Sequence, residues 1–150
     1  MPGLLHYEDF TVGESFDLGD HRVTADEIKA FAREFDPQFF HLDEERAKSS
    51  VLGGLSASGW HTCGILMRLM VDGYLGRAAG MGSPGLDEVK WLKPVYAGET
   101  LRGRMTVMAK RRSRSRPEMG LVTMRWEARS LQGEAKIDMT GVNLIKVRAP

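Results

Sequence analysis

The sequence predicts an α+β fold in which a curved antiparallel sheet wraps around one long central helix. Two observations support this. Residues 59–73 are apolar on nearly every side, a pattern typical of a helix buried in a core. From residue 101 onward, apolar and polar side chains alternate with a period of two, in three runs joined by short turn-rich segments. Such runs predict an antiparallel meander, and the apolar helix is the element able to cover its face.

Two shorter helices are expected before the central one. Thr24 is followed three residues later by Glu27, which is the spacing of a capping box. The first helix should end near Phe35, because Pro37 disfavours a helical backbone at the residue before it. Asp43 is a suitable N-cap for a second, short helix.

Three further local predictions concern the central helix and the core. Either Ser56 or Ser58 is expected to cap the helix that starts near residue 59. The apolar parity of the last run changes near Gly141, which predicts a β-bulge. Trp91, Trp126 and the nine methionines are interpreted as core filling.

Length and charge limit the class of protein. A chain of 150 residues predicts a single domain spanning 1–150, large enough for a real core. The formal net charge of +1 does not favour DNA or an anionic membrane as partner. The single cysteine, Cys63, excludes an intramolecular disulfide and fits a reducing compartment. The N-terminal residues lack a secretory pattern and no apolar run is long enough to span a membrane, so a cytoplasmic location is expected.

The stretch FDPQFFHLDEE places two titratable side chains, Asp36 and His41, among aromatic residues. Their spacing of five would separate them on a helix and put them on opposite faces of a strand. Pro37 favours an irregular segment, in which both side chains can point into one cavity. A carboxylate and an imidazole in apolar surroundings could then grip and activate a water molecule. From this stretch alone, a simple hydrogen bond within a turn is the more common explanation.

The stretch SASGWH stands where the buried helix begins. Free backbone N–H groups and the positive end of the helix dipole lie at such a terminus. Gly59 would let a ligand approach the backbone closely, so that the amide could hold a carbonyl oxygen while negative charge develops on it. An ordinary helix cap with a tightly packed glycine is the simpler alternative.

Taken in order, DPQFFHLDEE, GGLSASGWHT, the buried helix and EVKWLKPVYAGETL resemble the MaoC-like dehydratases, the family of the (R)-specific enoyl-CoA hydratases. The resemblance extends over about residues 6–146. It implies the hot-dog fold, a curved antiparallel sheet around a central helix. It also implies action on acyl thioesters of coenzyme A in fatty acid metabolism, by homodimers with sites near the subunit interface.

The resemblance assigns roles to three residues. Asp36 and His41 fall on the catalytic Asp and His of the family, and Gly59 falls on the glycine whose N–H holds the thioester oxygen. The implied reaction is the reversible addition of water to a trans-2-enoyl-CoA. It needs no metal and no redox cofactor, and the coenzyme A thioester is its substrate.

The sequence departs from the well-known hydratases around that glycine. Those proteins have His where this chain has Ser58, and they place a serine further along the helix, where residues 63–67 carry no hydroxyl here. The pocket is therefore expected to differ, and an apolar wall that includes Met67 is expected to reshape the acyl tunnel. His61 is read equally well as a pocket wall or as a satisfied core residue. The expected substrate-binding residues are Phe40, Ser58, Trp60, His61 and Met67.

Other functions remain as alternatives. A hot-dog thioesterase would use an acid in the central helix, and the only one there, Asp72, lies near the far end. A non-catalytic acyl-CoA-binding subunit is a second alternative. The arginine-rich segment 111–116 is interpreted as a solvated hairpin tip, with a contact to coenzyme A phosphates or to nucleic acid as less favoured roles.

Overall fold

Six antiparallel strands form one sheet in the computed structural model, which describes residues 3–149. The strand order is β1-β4-β5-β6-β2, and β3 pairs with β6 beside β2. The strands are β1 (Ser15–Arg22), β2 (Gly80–Gly82), β3 (Leu86–Trp91), β4 (Thr100–Arg112), β5 (Met119–Ser130) and β6 (Ala135–Lys146). The helices are α1 (Ala25–Phe35), α2 (Glu44–Lys48) and α3 (Gly59–Gly73), with 3-10 turns at Tyr7–Asp9, Phe39–His41 and Leu75–Arg77.

Helix α3 covers the inner face of the sheet and packs against β1, β4 and β5. Its core side carries Ile65, Leu66, Leu69 and Met70, all buried. Each such side chain contributes roughly 1.5–3 kcal/mol when it leaves water. The predicted fold class, a curved antiparallel sheet with a central helix, is therefore confirmed. Within residues 3–149, no helix is long and apolar enough to cross a membrane.

The helix boundaries follow the local signals. The Thr24 hydroxyl accepts from the Glu27 N–H at 3.2 Å, and the Glu27 carboxylate accepts from the Thr24 N–H at 2.8 Å. This is the predicted capping box, and α1 ends at Phe35 as expected. The Asp43 side chain caps α2 by accepting from the Arg46 N–H.

Helix α3 is not buried on every side, contrary to the prediction. Trp60, Met67 and Val71 are exposed and form an apolar side that faces away from the sheet. Trp91 is also 47% exposed and is not core filling, whereas Trp126 is buried as predicted. An apolar sequence pattern reports the absence of charge, and it does not distinguish the core of one chain from a surface covered by a ligand or a second chain.

Strand β1 was not predicted, and strand β6 is more regular than expected. Gly19 has a φ of 89°, and the pairing of β1 with β4 shifts between Asp17 and Gly19, so β1 shows no clean alternation. In β6 the core parity continues through Gly141 to Asn143, and the bulge lies in the facing strand β3. The expectation of a phase change was wrong because the buried residue at 143 is polar.

Asn143 is buried because Tyr74 satisfies it. The Tyr74 hydroxyl donates to Asn143 Oδ1 at 2.8 Å and accepts from the Trp126 indole N–H at 2.9 Å. Burial raises the pKa of the Tyr74 phenol well above its ordinary value, although the Trp126 N–H opposes this. One hydroxyl thus satisfies polar groups on β5 and β6 in the middle of the core.

Replacing Tyr74 by Phe should lower the free energy of unfolding by about 2–3 kcal/mol, because both Trp126 and Asn143 would lose a buried partner. Urea denaturation measures the change. The control is Tyr7→Phe, whose hydroxyl has no hydrogen bond to a described residue and which should shift stability by less than about 0.5 kcal/mol. Equal effects of the two substitutions would contradict the role given to Tyr74.

Candidate active site

Asp36 and His41 meet across the irregular segment that follows α1. The Asp36 N–H still donates to Ala32 O, and then Pro37 ends the helix and the 3-10 turn Phe39–His41 reverses the chain. As a result, Asp36 Oδ2 and His41 Nε2 lie 3.5 Å apart. The two side chains are mostly buried, with exposed fractions of 20% and 8%.

A backbone carbonyl fixes the orientation of the His41 ring. His41 Nδ1 lies 2.5 Å from Ser56 O, and since a carbonyl only accepts, Nδ1 must carry the proton. In the neutral ring, Nε2 is therefore an acceptor, and it faces the carboxylate, which is an acceptor as well. A single water can satisfy both by donating one O–H to Asp36 and the other to His41.

The Asp36 carboxylate is held in its ionised form. Burial by itself would raise its pKa, but the polar side chains of Ser58 and Gln38 outweigh burial and lower the pKa, with a further lowering by the charge of His41 when that ring is protonated. The Gln38 amide donates to Asp36 Oδ1 at 2.6 Å, which leaves Oδ2 directed at His41. The carboxylate therefore presents one oxygen as a base near neutral pH.

The N-terminus of α3 stands beside this pair. Ser58 occupies the N-cap position, but its side chain makes no capping bond, and Ser56 Oγ is unbonded as well among the described residues. The predicted cap position is therefore confirmed at Ser58, but the side-chain capping bond expected there is absent. No described residue accepts from the N–H groups of Gly59, Trp60 or His61, which remain available at the positive end of the helix dipole.

Trp91 packs directly on Gly59. Its indole N–H donates to Gly59 O at 2.9 Å, and a Cβ added at Gly59 would lie 2.6 Å from the Trp91 ring. Trp60 meets the same indole edge to face, with ring centroids 5.3 Å apart. A glycine is required here because the indole occupies the space of a side chain.

A cavity of about 510 Å³ joins the dyad to the helix terminus, within the usual size range of small-molecule sites. It brings together Asp36, His41 and Gly59 with three of the expected substrate-binding residues, Phe40, Ser58 and Trp60. The remaining lining residues are Val51, Leu52, Ser56, Ala57, Thr62, Trp91, Leu92, Lys93, Pro94, Val95 and Lys136.

His61 and Met67 do not line this cavity. His61 is buried against Phe31, with ring centroids 5.0 Å apart, and its Nε2 lies 3.9 Å from a Glu27 carboxylate oxygen. Burial lowers the pKa of His61 despite that carboxylate. Met67 lies two turns along α3 on the exposed side of the helix. The pocket role given to them is therefore not supported by the geometry of a single chain.

Lys136 is a cavity residue that sequence reasoning missed. Its ammonium group donates to Pro94 O at 2.9 Å and lies within 3.1 Å of carboxylate oxygens of Glu99 and Glu134. Burial opposes the charge, but hydrogen bonds to Glu134 and Glu99 outweigh it and raise the Lys136 pKa. The sequence feature that could have identified it is a lysine inside a predicted strand, next to apolar Ile137. The side chain anchors the wall formed by residues 92–95.

Over residues 3–149, no group of three or more His, Cys, Asp and Glu side chains is placed to hold a metal ion.

Known proteins share both the sequence pattern and the fold. Residues 9–127 match the model of the MaoC-like domain. The MaoC-like dehydratase from Rhodospirillum rubrum is 43% identical, with a TM-score of 0.87 over 97% of this chain and 99% of that one. An uncharacterized Bacillus subtilis protein, YdeM, is 34% identical over 78% of this chain and 82% of its own length. The (R)-hydratase from A. caviae involved in PHA biosynthesis shares the fold, with a TM-score of 0.74 at 20% identity over 94% of this chain and 99% of that one.

The fold and these matches define a hot-dog protein of the dehydratase and hydratase class. The chain belongs to the MaoC-like dehydratase family. Two structures that share the fold at 18–19% identity are of complexes, ChsH1-ChsH2 and HadBC from Mycobacterium tuberculosis.

Gly59→Ala should lower the free energy of unfolding by about 1–3 kcal/mol, because the new methyl group must displace the Trp91 ring. Gly64→Ala on the same helix is the matched control, since nothing lies within 4 Å of its added Cβ. That change should stabilise the protein by up to about 1 kcal/mol through helix propensity. Thermal denaturation of both variants measures the difference, and a neutral Gly59→Ala would contradict the packing.

Proposed function

We propose that this protein is an acyl-CoA hydratase and dehydratase, which adds water reversibly to a trans-2-enoyl-CoA. The observation that carries the proposal is the convergence of Asp36 and His41, 3.5 Å apart, in a cavity that also contains the Gly59 terminus of α3. Membership of the MaoC-like family supports the same class of reaction.

The first step is attack by water. The water donates one hydrogen to Asp36 Oδ2 and one to His41 Nε2, and its oxygen forms a bond to C3 of the enoyl group. The Asp36 carboxylate, which its lowered pKa keeps ionised near neutral pH, takes the proton as the bond forms. His41 orients the water, since Ser56 O fixes the protonated nitrogen on the far side of the ring.

The second step is proton delivery to C2. As the C3–O bond forms, the C2–C3 π electrons move into an enolate whose charge resides on the thioester oxygen. The Gly59 N–H and the dipole of α3 stabilise that charge. The proton held by Asp36 then passes to C2, which restores the carboxylate. The net change is addition of H and OH, so no redox cofactor is required.

The assembly and the location are further parts of the proposal. A homodimer is proposed from the family and from the exposed apolar side of α3, where Trp60, Met67 and Val71 lie. The single cysteine supports a reducing, cytoplasmic location.

The alternatives have less support in the geometry. The only acid on α3, Asp72, pairs with Arg68 at 3.0 Å on the exposed surface and does not line the cavity, which disfavours a thioesterase built on that helix. A non-catalytic subunit would bind acyl-CoA without turnover, and the presence of both dyad residues favours catalysis.

Asp36→Asn and His41→Ala should each lower kcat/KM for hydration by at least about 100-fold, because each removes a group that contacts the attacking water. Loss of the conjugated thioester absorbance measures turnover with short, medium and branched trans-2-enoyl-CoAs. Circular dichroism checks that both variants remain folded. If the wild-type protein binds acyl-CoA tightly but hydrates none of these enoyl-CoAs, the result would support the non-catalytic alternative instead.

Gln38→Met should move the acidic limb of kcat/KM to higher pH. The Gln38 amide helps to lower the pKa of Asp36, so its loss raises that pKa and the base becomes protonated at a higher pH. The control is Gln132→Met in the exposed β5–β6 turn, which should leave the limb in place. An unshifted limb in Gln38→Met would show that Gln38 does not tune the base.

A further inference from the structure

Two hydroxyl groups in the cavity wall have no partner in the described part of the chain. Ser56 Oγ and Ser58 Oγ are both buried, with residue exposures of 1% and 0%. Buried hydroxyls are nearly always hydrogen-bonded, because an unpaired one has lost its water without compensation. An unpaired hydroxyl that faces a ligand cavity is therefore expected to find its partner in what the cavity binds.

Ser58 is the hydroxyl placed to serve the dyad. It lies at the junction between the dyad and the helix terminus, immediately before Gly59, and it lines the same cavity as Asp36 and His41. Polar interaction with the Ser58 side chain is one cause of the lowered Asp36 pKa, but no described atom lies within hydrogen-bond distance and angle of Ser58 Oγ, so the hydroxyl approaches the carboxylate without closing a direct bond to it. Ser56 contributes to the dyad in a different way, because its backbone carbonyl, and not its hydroxyl, orients the His41 ring.

The geometry of water defines what a third group would add. A water molecule has four tetrahedral directions, two for donated hydrogens and two for lone pairs. Asp36 and His41 accept the two hydrogens, which leaves two equivalent lone pairs and a water free to pivot about the line between its acceptors. A donor on one lone pair leaves the other as the single direction of attack.

We propose that Ser58 is a positioning residue for hydration, whose hydroxyl donates to the oxygen of the attacking water and directs its remaining lone pair at C3. The inference rests on the proposed hydratase function. The well-known hydratases have His at this position, and the proposal gives the serine found here a specific role. A hydroxyl is small enough to share the cavity with both the water and the thioester.

The test compares Ser58→Ala with Ser58→Cys in the full-length protein, using the trans-2-enoyl-CoA that the wild type hydrates best. Ala removes the donor and some volume, whereas Cys keeps the volume but is a weak donor. Both variants should lose about 10- to 30-fold in kcat, the range expected for one hydrogen bond to a reacting group. KM should stay within about twofold, because the substrate itself loses no contact.

Two results would overturn the inference. Full kcat in Ser58→Cys would show that the serine only fills space, and a raised KM with unchanged kcat would show that it binds substrate. Asp36→Asn separates this failure from failure of the proposed function. If Asp36→Asn abolishes turnover while both Ser58 variants are fully active, only the role of Ser58 is wrong. If Asp36→Asn is fully active, the hydratase mechanism itself is wrong.

Discussion

The hydrogen bonds of the extended segment 55–58 hold the site together. On one side, the Ser56 N–H donates to Phe40 O at 3.3 Å, and Ser56 O accepts from His41 Nδ1. On the other side, the Ala57 N–H donates to Val95 O at 2.8 Å, which fixes the wall beyond β3. Helix α3 begins directly after this segment. Because most of these contacts use the backbone, the side chains at 56 and 58 can change without moving the dyad, the wall or the helix terminus relative to one another.

The parts of the fold with local causes could be predicted from the sequence. The Thr24 capping box, the helix stop at Pro37 and the alternating strands each depend on neighbours a few residues away. Strand β1 escaped prediction because Gly19 interrupts its pattern, and only pairing with β4 defines it. The dyad could be proposed from spacing and family resemblance, but the tautomer of His41 depends on a carbonyl 15 residues away. That contact exists only after the chain has folded.

The site also depends on residues whose solvent exposure could not be predicted from their amino-acid type. Trp91 was expected in the core, yet it packs on Gly59 and lines the cavity. Lys136 was overlooked, yet it is almost completely buried and braces the wall near Pro94. Around the cavity, the aromatic Trp91 is therefore exposed and the charged Lys136 is buried, which is the reverse of what their residue types predict. An exposed large aromatic beside a cavity indicates a place where a ligand or a second chain completes its burial.

The most direct test of the account is the fate of oxygen from labelled water. The protein would be incubated with a trans-2-enoyl-CoA in H2(18)O, and the products separated and analysed by mass spectrometry. The account predicts one heavy oxygen at C3 of an intact 3-hydroxyacyl-CoA, formed by the wild type and not by Asp36→Asn. Label in a free carboxylate, with release of coenzyme A, would mean that the water attacks the thioester carbon and that the protein is a thioesterase.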